Sequence, residues 1–561
     1  MNDSVTLDPF EDTKRRSRFL RGTLVAGLAD HATGALAEDD TKLGKFHGFY
    51  QQDDRDIRAE RRRQKLEPAY SFMVRVRMAG GVCTPAQWLV LDDLAVRYGG
   101  ASLRLTTRQT FQFHGVVKRD LKATIRGINE ALLDTIAACG DVNRNVMSSA
   151  NPHESALQRA VWEQAAALSE HLLPRTHAYH EIWLDSERIA GGEAEAEPLY
   201  GATYLPRKFK VAFAIPPVND VDVYANDLGF VALVEDGRLS GYNVAIGGGM
   251  GRSHGEPATY ARLASVIGAC RPEQVLAVAE HVVGVQRDFG DRTNRKHARL
   301  KYTLDDRGVD WFRGELERRL GFALAPAVPV TFTHRGDRHG WREGDDGRWH
   351  LTLFIENGRL RDSDDRAPLS ALREIARVHD GEFRCTPNQN VTIANVAPAA
   401  RAVIDAILGR HGLSDGTGVS AVRTNAMACV ALPTCGLAMA ESERYLPALI
   451  TKIEALLDKH GLGGEALAIR MTGCPNGCAR PYNAEVALVG KAPGYYAVHL
   501  GGDVAGERLN VLVEENADEA AILALLDGHF AAWAAGRAAG EPFGDFLVRS
   551  GRLAAAAGGA A

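Results

Sequence analysis

An internal duplication constrains the fold of this 561-residue chain more than any other feature of its sequence. The stretch "RLTTRQTFQF" (104–113) matches "RCTPNQNVTI" (384–393) at an offset of 280 residues, and "NVM" (145–147) matches "NAM" (425–427) at the same offset. The landmark residues shared by the first pair are Arg104 and Arg384, Thr106 and Thr386, and Gln109 and Gln389. A pattern that recurs at a constant offset predicts two copies of one structural unit.

Both copies carry the same predicted series of elements, a β-α-β-β-α unit. The first copy is predicted to have strands at 71–78, 102–105 and 110–117, with helices at 85–97 and 121–138. The second is predicted to have strands at 350–356, 382–385 and 391–396, with helices at 368–379 and 398–410. Pro85, Pro368 and Pro398 open three of these helices, because proline is favoured at the first helical position. Two such units can pair into one larger sheet with helices on a face.

A second set of matches follows at a different offset. "VAIGG" (244–248) matches "VHLGG" (498–502) at 254 residues, and "FGD" (289–291) matches "FGD" (543–545) at the same shift. A helical stretch precedes each "FGD", at 273–287 and 519–536. We infer that a module of one small domain and one larger α/β domain was duplicated and fused. A pseudo-symmetric protein of this kind offers a ligand site where its halves meet.

Four of the eight cysteines lie in two short loops of the second half. Cys429 and Cys435 occur in "ACVALPTCGLA" with C-x5-C spacing, and Cys474 and Cys478 occur in "MTGCPNGCARPYN" with C-x3-C spacing. Zinc sites typically use C-x2–4-C pairs, which the wide first pair fits poorly. Four thiolates can also ligate a [4Fe–4S] cluster, which tolerates irregular spacing. The residues alone leave an iron–sulfur cluster, a zinc site and buried structural cysteines open.

The remaining cysteines give no such pattern. Cys83, Cys139, Cys270 and Cys385 are isolated, and we interpret them as buried structural residues. The first copy reads "NVMSS" where the second reads "NAMAC", so it lacks the thiol of Cys429. The metal site is therefore expected in one copy only.

Basic residues concentrate near the repeat landmarks. "VRVR" places Arg75 and Arg77 on one face of a predicted strand, and "LPRKFK" (205–210) does the same for Lys208 and Lys210, because strand side chains alternate. Other polar groups in these stretches are Arg104, Arg108, Gln112, His114, Arg144, Arg207 and the set in "RTNRKHARLK" (292–301). One such pair is ordinarily a solvated face. Several together fit a polycarboxylate cofactor and a small oxyanion, since arginine grips carboxylates bidentately and lysine offers a point charge.

A glycine-rich loop provides a competing signal. "YNVAIGGGMGRS" (242–253) follows a predicted strand, as a dinucleotide fingerprint would. Its glycines run G-G-G-x-G rather than G-x-G-x-x-G, and Gly255 and Pro257 oppose an immediate helix. We favour a close backbone approach to another anionic ligand over nicotinamide binding.

Composition excludes several classes of protein. The net charge of −5 gives no electrostatic footprint for nucleic acid. The N-terminus lacks a secretory h-region, and no run of about 18 apolar residues could span a bilayer. Eight cysteines are too few for a disulfide framework, so a cytoplasmic protein with reduced thiols is expected.

With these motifs together, the chain resembles the haemoprotein (β) subunits of assimilatory sulfite reductases, within the sirohaem sulfite and nitrite reductases. The resemblance extends from "FHGFYQQDDRDIRAERRRQKLEP" (46–68) to "FGDFLVRSG" (543–551). Its most specific stretches are "RLTTRQTFQFHG", "DVNRNV", "TYLPRKFK", "ACVALPTCGLAMAESER" and "TGCPNGCARPYNAEVALVGKAPG".

The resemblance implies roles for particular residues. One [4Fe–4S] cluster would be ligated by Cys429, Cys435, Cys474 and Cys478, and Cys478 would bridge to the iron of one sirohaem. Substrate would be contacted by Arg75, Arg144, Lys208 and Lys210. Sirohaem would be bound by Arg104, Arg108, Gln112, His114, Arg207, Lys296 and Asn476, of which the cations would meet its carboxylates.

The resemblance also implies an α+β fold with pseudo-twofold symmetry. Ferredoxin-like half-domains at 71–143 and 345–424 would pair into one domain. Two larger α/β domains, at 144–344 and 425–561, would meet at the sirohaem and cluster, the second carrying the cysteines. Residues 1–70 would form an N-terminal extension, either a docking arm for a flavoprotein or a disordered tail.

The implied activity is the six-electron reduction of sulfite to sulfide, in assimilatory sulfate reduction and cysteine biosynthesis. Electrons would come from an NADPH-oxidising flavoprotein (α) partner carrying FAD and FMN, since no flavin domain is visible in the chain. A ferredoxin-dependent sulfite or nitrite reductase of the same fold is the first alternative. A non-catalytic metal-binding protein is the second, and the retention of all four candidate substrate-binding cations argues against it.

Overall fold

The protein is described by a computed structural model that covers residues 6–149, 151–175, 182–184, 187–190 and 197–553. The strands are β1 (Phe49–Asp53), β2 (Tyr70–Arg75), β3 (Val82–Cys83), β4 (Leu103–Leu105), β5 (Phe111–Val116), β6 (Met147–Ser148), β7 (Ile182–Leu184), β8 (Glu187–Ala190), β9 (Val211–Ala214), β10 (Leu228–Glu235), β11 (Arg238–Ile246), β12 (Ser265–Cys270), β13 (Gly340–Glu343), β14 (Trp349–Leu353), β15 (Arg359–Leu360), β16 (Glu382–Cys385), β17 (Val391–Val396), β18 (Ala426–Ala428), β19 (Ile469–Thr472), β20 (Val486–Ala492), β21 (Tyr495–Leu500) and β22 (Val511–Ala517).

Helices pack on these strands and connect them. They are α1 (Pro9–Arg16), α2 (Leu24–Ala29), α3 (Glu38–Leu43), α4 (Arg58–Arg63), α5 (Pro85–Tyr98), α6 (Lys118–Glu130), α7 (Ala156–His171), α8 (Val275–Phe289), α9 (Leu300–Arg307), α10 (Val309–Leu320), α11 (Pro368–Val378), α12 (Arg401–Arg410), α13 (Ala421–Thr424), α14 (Leu446–Lys459), α15 (Glu519–Gly536) and α16 (Phe543–Arg549). Among the described residues, no helix has the length and apolar character needed to cross a bilayer.

The two smaller sheets exchange a strand. Their orders are β1-β2-β5-β4-β15 and β13-β14-β17-β16-β3, so each sheet takes its last strand from the other half of the chain. Strand β15 pairs with β4 through Arg359 and Arg104, and β3 pairs with β16 through Val82 and Arg384. The reciprocal exchange joins the two half-domains into one unit and supports the predicted pairing of the duplicated copies.

The landmark residues of the repeat hold this exchange in place. Arg104 donates to the carbonyls of Asn357 and Ala428, and Arg384 donates to the equivalent carbonyl of Gly80 and to Ser149. The amide nitrogens of Gln109 and Gln389 donate to the carbonyl oxygens of Ser148 and Ala428 at 2.9 and 3.0 Å. Both glutamines have positive φ angles, of 52° and 70°. The shared residues therefore serve a shared structural task.

The larger domains have matching topology. Their sheet orders, β6-β9-β10-β11-β12 and β18-β19-β20-β21-β22, each begin with three parallel strands and end with antiparallel pairs. Helices α7 and α14 lie between the first two strands of the respective sheets, as a parallel connection requires. This topology confirms the second predicted repeat.

Two buried clusters form most of the core. One extends from the half-domains into the first larger domain, and the other lies within the second larger domain. At the junction of the half-domains, Trp88 of α5 stacks on Phe383 with ring centroids 4.5 Å apart. Aromatic packing of this kind adds about 0.5–1.5 kcal/mol beyond area burial.

Three details of the predicted secondary structure and boundaries are wrong. The helix predicted at 121–138 ends at Glu130, and the strand predicted at 71–78 ends at Arg75. Arg77 then donates to Ser169, away from the Arg75 side chain. The boundary at residue 70 does not divide structural units, because β1 is an edge strand of the first sheet and Phe10 is buried in its core. The C-terminal residues 554–561 lie outside the described residues.

Candidate active site

The cysteine loops begin at the carboxyl ends of two parallel strands. Cys429 directly follows β18, and Cys474 comes two residues after β19. Parallel neighbours present their carboxyl ends at one edge of a sheet, which brings the two loops together. The backbone N–H of Cys429 donates to Met471, and those of Met439 and Ala440 donate to Gly473.

The four thiols converge, although they lie far apart in sequence. Burial raises the pKa of Cys429, Cys435 and Cys474, and the proximity of Cys478 raises each further. Cys474 is buried, Cys429 and Cys435 are half-buried, and Cys478 is exposed. Burial alone favours the protonated thiols, so ligation as thiolates requires a metal whose charge displaces the protons.

Polar hydrogens point at the sulfurs from the same loops. The Gly473 N–H donates to the Cys429 Sγ at 3.3 Å, and the Asn476 Nδ2 lies 3.6 Å from the Cys474 Sγ. Such donors tune iron–sulfur clusters. Within the described residues, no three His, Cys, Asp or Glu side chains are grouped so that they could hold a single metal ion.

The glycine-rich loop packs against the second cysteine loop. The N–H of Arg252 donates to the Pro475 carbonyl at 2.9 Å, and a Cβ on Gly251 would lie 3.3 Å from the Asn476 carbonyl. The next regular element is strand β12 rather than a helix. These glycines permit a close approach between two loops, and the dinucleotide interpretation lacks its helix.

A polar cavity of about 590 Å³ adjoins the cysteine loops. Its lining includes Asn476 and six cations from the stretches quoted in the sequence analysis, with only Asp8 and Glu256 as acidic groups among the described lining residues. The basic lining residues are Arg207, Lys208, Arg252, Arg295, Lys296 and Arg299. A volume of this order suits an organic cofactor.

Several of these cations have no partner within the protein. The structure gives no hydrogen bond or ion pair to the side-chain nitrogens of Arg207, Lys208 or Lys210 from any described residue. Burial, followed by the charges of Arg207 and Arg144, places the pKa of Lys208 well below its usual value. Burial also lowers the pKa of Lys210, with Arg108 as the next cause. Clustered unpaired cations fit a polyanionic ligand, which would relieve their repulsion.

Two of the predicted substrate-binding arginines meet at Tyr50. Arg144 donates to the Tyr50 hydroxyl at 3.4 Å, and the Arg75 guanidinium lies 5.9 Å from the centre of its ring. Arg75 also donates to the Sγ of Cys139 at 2.9 Å, and Cys139 is buried, as predicted. The amide of Gln112, in the orientation that satisfies it, accepts from the Arg75 Nε at 2.9 Å.

Sequence reasoning missed Tyr50 and Cys139. Tyr50 lies on β1, which pairs with the strand of Arg75, and the sequence assigned β1 to an extension. Neither residue belongs to a motif or repeat. For Cys139, the available sequence signal was its position close to the stretch "DVNRNV". For Tyr50 there was no such signal.

Two predicted cofactor-binding arginines have other partners. Arg104 is buried and forms an ion pair with Glu443 at 2.8 Å, in addition to its backbone contacts. Arg108 donates to Asn226 and to two backbone carbonyls, and burial lowers its pKa to about 9. Both guanidinium groups thus join segments of the protein. Their Nε atoms have no hydrogen-bond acceptor among the described residues, and the Arg104 Nη1 has its ion pair with Glu443 alone.

Other predicted cofactor-binding residues retain free polar atoms or lie at the cavity. The buried Nε2 of His114 has no partner, while its Nδ1 lies 3.2 Å from Gln52. Lys296 forms an ion pair with Glu256 at the cavity wall. Of the predicted cofactor-binding residues, His114, Arg207 and Asn476 therefore have the most polar atoms available to bind a ligand.

Comparison with curated proteins supports this arrangement. The chain is 60% identical over 547 residues to the "Sulfite reductase [NADPH] hemoprotein beta-component" of Myxococcus xanthus, covering 98% of this chain and 97% of the relative. A protein of the same name from Shouchella clausii is 57% identical, over 98% and 96% of the two chains. The chain belongs to this family of sulfite reductase hemoproteins.

Family descriptions and a solved structure agree with the architecture of this family member. The "Nitrite/Sulfite reductase ferredoxin-like half domain" matches residues 63–131 and 342–411, which confirms the predicted duplication of half-domains. The "Nitrite and sulphite reductase 4Fe-4S domain" matches 163–324, the larger domain without the cysteine loops. The Mycobacterium tuberculosis NirA structure shares the fold, with a TM-score of 0.80 over 97% of this chain and 96% of that one, at 23% identity.

The duplication places a counterpart of the site in the other half of this family member. Asp222 and Arg480 precede equivalent short 3₁₀ helices, Val223–Ala225 and Pro481–Asn483, and form an ion pair with each other. By this alignment the segments that carry Cys474 and Cys478 correspond to those of Pro216 and Asp220. A separate cavity of about 170 Å³ lies at that counterpart.

Proposed function

We propose that this protein reduces sulfite to sulfide as the haemoprotein component of an NADPH-dependent sulfite reductase. The supporting observation is the placement of unpaired, half-buried cations beside converging thiols. A polycarboxylate macrocycle, a bound oxyanion and a thiolate-ligated cluster would use both features together.

Cys429, Cys435, Cys474 and Cys478 would hold one [4Fe–4S] cluster. The convergent thiols and the Gly473 N–H directed at Cys429 fit such a group. Arg207, Lys296, Asn476 and His114 would hold one sirohaem, since the first three line the cavity and the buried Nε2 of His114 has no partner among the described residues. When bound, the two groups supply the electrons and the iron that carries the substrate sulfur.

The side chains of the chain would position sulfite and deliver protons. Arg75 and Arg144 meet at Tyr50 and would hold substrate oxygens by charge-assisted hydrogen bonds. Lys208 and Lys210 would donate protons from Nζ to the departing oxygens. Their lowered pKa values make each ammonium a stronger acid, which suits proton delivery as each oxygen leaves as water.

Electrons would come from a flavoprotein α component that carries FAD and FMN and oxidises NADPH. The names of the curated relatives specify a beta-component and NADPH, which supports a partner of this kind. We infer no nicotinamide site in this chain, because the glycine-rich loop packs against Pro475 and no helix follows it.

An anaerobic assay with reduced viologen tests the proposal. Purified protein should form sulfide from sulfite and consume six viologen electrons for each sulfide. NADPH should remain unoxidised until a flavoprotein α component is added. Oxidation of NADPH by the isolated chain, or consumption of two electrons per sulfite, would contradict the proposed reaction and partner.

A further inference from the structure

The residues that follow β1 cross the cysteine loop of the second half. Residues 54–58, which we term the strap, connect the edge strand β1 to helix α4. The backbone N–H of Arg55 donates to the Pro433 carbonyl at 3.2 Å. Asp56 accepts from Arg444 at 2.7 Å, at the far end of the same loop. The strap is therefore fixed to the loop at two points.

Arg55 is the cation of the strap that faces the loop. Its guanidinium donates to the carbonyl oxygens of Cys435 and Ala438, the first at 3.4 Å. These contacts place the positive charge of Arg55 against the backbone of the loop that carries Cys435.

Arg55 differs from Arg104, the other cation near the thiols, because no carboxylate balances the charge of Arg55. Arg104 also lies within electrostatic reach of Cys429 and Cys478, but it forms an ion pair with Glu443 at 2.8 Å. Within the described part of the chain, Arg55 forms no ion pair with any carboxylate. Its net effect at the loop is consequently positive.

From these contacts we infer that Arg55 is a positioning residue that raises the reduction potential of the cluster held by the cysteines. The inference rests on the proposed function, which places the cluster there. Reduction adds one electron to the cluster and breaks no bond, so its charge becomes more negative by one. A nearby positive charge stabilises the reduced form, and the net charge around a cluster is one determinant of its potential.

The direct test is an electron-paramagnetic-resonance redox titration of the holoenzyme with titanium(III) citrate as reductant, because dithionite is oxidised to sulfite, the proposed substrate. Arg55→Gln should shift the potential to more negative values. At the wild-type midpoint, the ratio of reduced to oxidised cluster should fall about threefold to tenfold, where tenfold corresponds to about 59 mV for a one-electron couple. An unchanged potential in Arg55→Gln would overturn the inference.

Arg58 offers a matched control. It lies on the same segment and forms an ion pair with Asp53 at 2.6 Å, away from the cysteine loop. Arg58→Gln removes the same charge and should leave the potential at its wild-type value. Arg55→Lys retains the charge but loses the planar guanidinium, so its potential should stay close to wild type. Equal shifts in Arg55→Lys and Arg55→Gln would assign the effect to loop packing and overturn the inference.

A gain of charge tests the same claim without removing a hydrogen bond. Leu437 lies in the cysteine loop and is 69% exposed, so Leu437→Lys should preserve the fold and shift the potential to more positive values. This variant serves if Arg55→Gln fails to retain iron and sulfide, and no shift in it would also overturn the inference. A wild-type protein without a cluster signal would instead contradict the proposed function.

Discussion

The cysteine site and its pseudo-symmetric counterpart share a backbone topology but differ in the chemistry of their side chains. At the aligned positions, and by strand register for Arg75, each thiol and most site cations are replaced by residues that have no thiol and carry no positive charge. The counterparts are Ser149 for Cys429, Ser155 for Cys435, Pro216 for Cys474, Asp220 for Cys478, Thr352 for Arg75, Asn388 for Arg108, Thr392 for Gln112, Ala466 for Lys208 and Ala468 for Lys210. One cavity measures about 590 Å³ and the other about 170 Å³.

Polar groups at the counterpart satisfy one another. The buried Ser149 hydroxyl donates to Asp220 at 2.9 Å, and the hydroxyls of Thr352 and Thr392 are 2.9 Å apart. At the cysteine site, by contrast, no described residue accepts from the ammonium groups of Lys208 and Lys210, and burial and neighbouring cations lower the pKa of both. Residues shared by the two copies therefore have structural contacts, and residues that differ distinguish the two sites.

The largest loss of cofactors and turnover is expected when a cysteine is replaced by the residue at the counterpart position. Cys478→Asp introduces the residue found at the equivalent position and removes one thiolate ligand. Iron and acid-labile sulfide should be lost, together with at least about 10³-fold in viologen-driven turnover. Ser149→Ala, at the counterpart, should retain both cofactors and full turnover. Retention of sulfide in Cys478→Asp would remove Cys478 from the ligand set.

The site lysines should affect turnover more than cofactor content. Lys208→Met should lower viologen-driven sulfite turnover by about 10²-fold or more, because a preorganised proton donor and positive charge are lost. The visible spectrum should persist. Ala466→Lys places a lysine at the exposed counterpart position and should leave turnover unchanged. Full activity in Lys208→Met with intact cofactors would rule out its catalytic role.

The two repeat arginines should affect stability in different amounts. Arg104→Met breaks a buried ion pair with Glu443 and should lower the free energy of unfolding by about 3–5 kcal/mol. Arg384→Met leaves the carbonyls of Gly80 and Ser149 without a donor and should lower it by about 1–3 kcal/mol. Urea unfolding measures both. A larger loss of unfolding free energy in Arg384→Met than in Arg104→Met would contradict this prediction.

The smallest effect concerns pH in protein prepared without cofactors. Unfolded lysine has a pKa of about 10.4, whereas burial and neighbouring cations lower the pKa of Lys208 and Lys210 in the folded state. The unfolded state therefore binds more protons between the folded and unfolded values, so the free energy of unfolding should rise with pH in that window. Replacing both lysines with methionine should flatten the rise, and an unaltered slope would contradict these shifts.

Sequence periodicity and repetition predicted most of the frame. Strands 382–385 and 391–396 match β16 and β17 in full, because apolar alternation and flanking turns defined them. The strand exchange was not predictable, since β3 and β15 each contain two residues and find their partners in the other half. Short strands carry too little local pattern to indicate a distant partner.

Some residues of the candidate site were predicted from the sequence and others were not. Loop spacing identified the four cysteines, and repeat landmarks drew attention to Arg104, which instead pairs with Glu443. The cofactor-binding role of Arg104 stays a prediction, since its Nε has no acceptor among the described residues. Tyr50 was inaccessible from sequence, because only the pairing of β1 with β2 brings it beside Arg75 and Arg144.

The central claim is that one of the two pseudo-symmetric sites, each built from residues of both halves, carries an iron–sulfur cluster and sirohaem while its counterpart carries neither. The most direct measurement combines the visible spectrum with iron and acid-labile sulfide counts on the purified protein. We predict an isobacteriochlorin-type spectrum with about five irons and about four sulfides per chain. A colourless protein with one zinc per chain would contradict the account, because the four cysteines would then form a structural site.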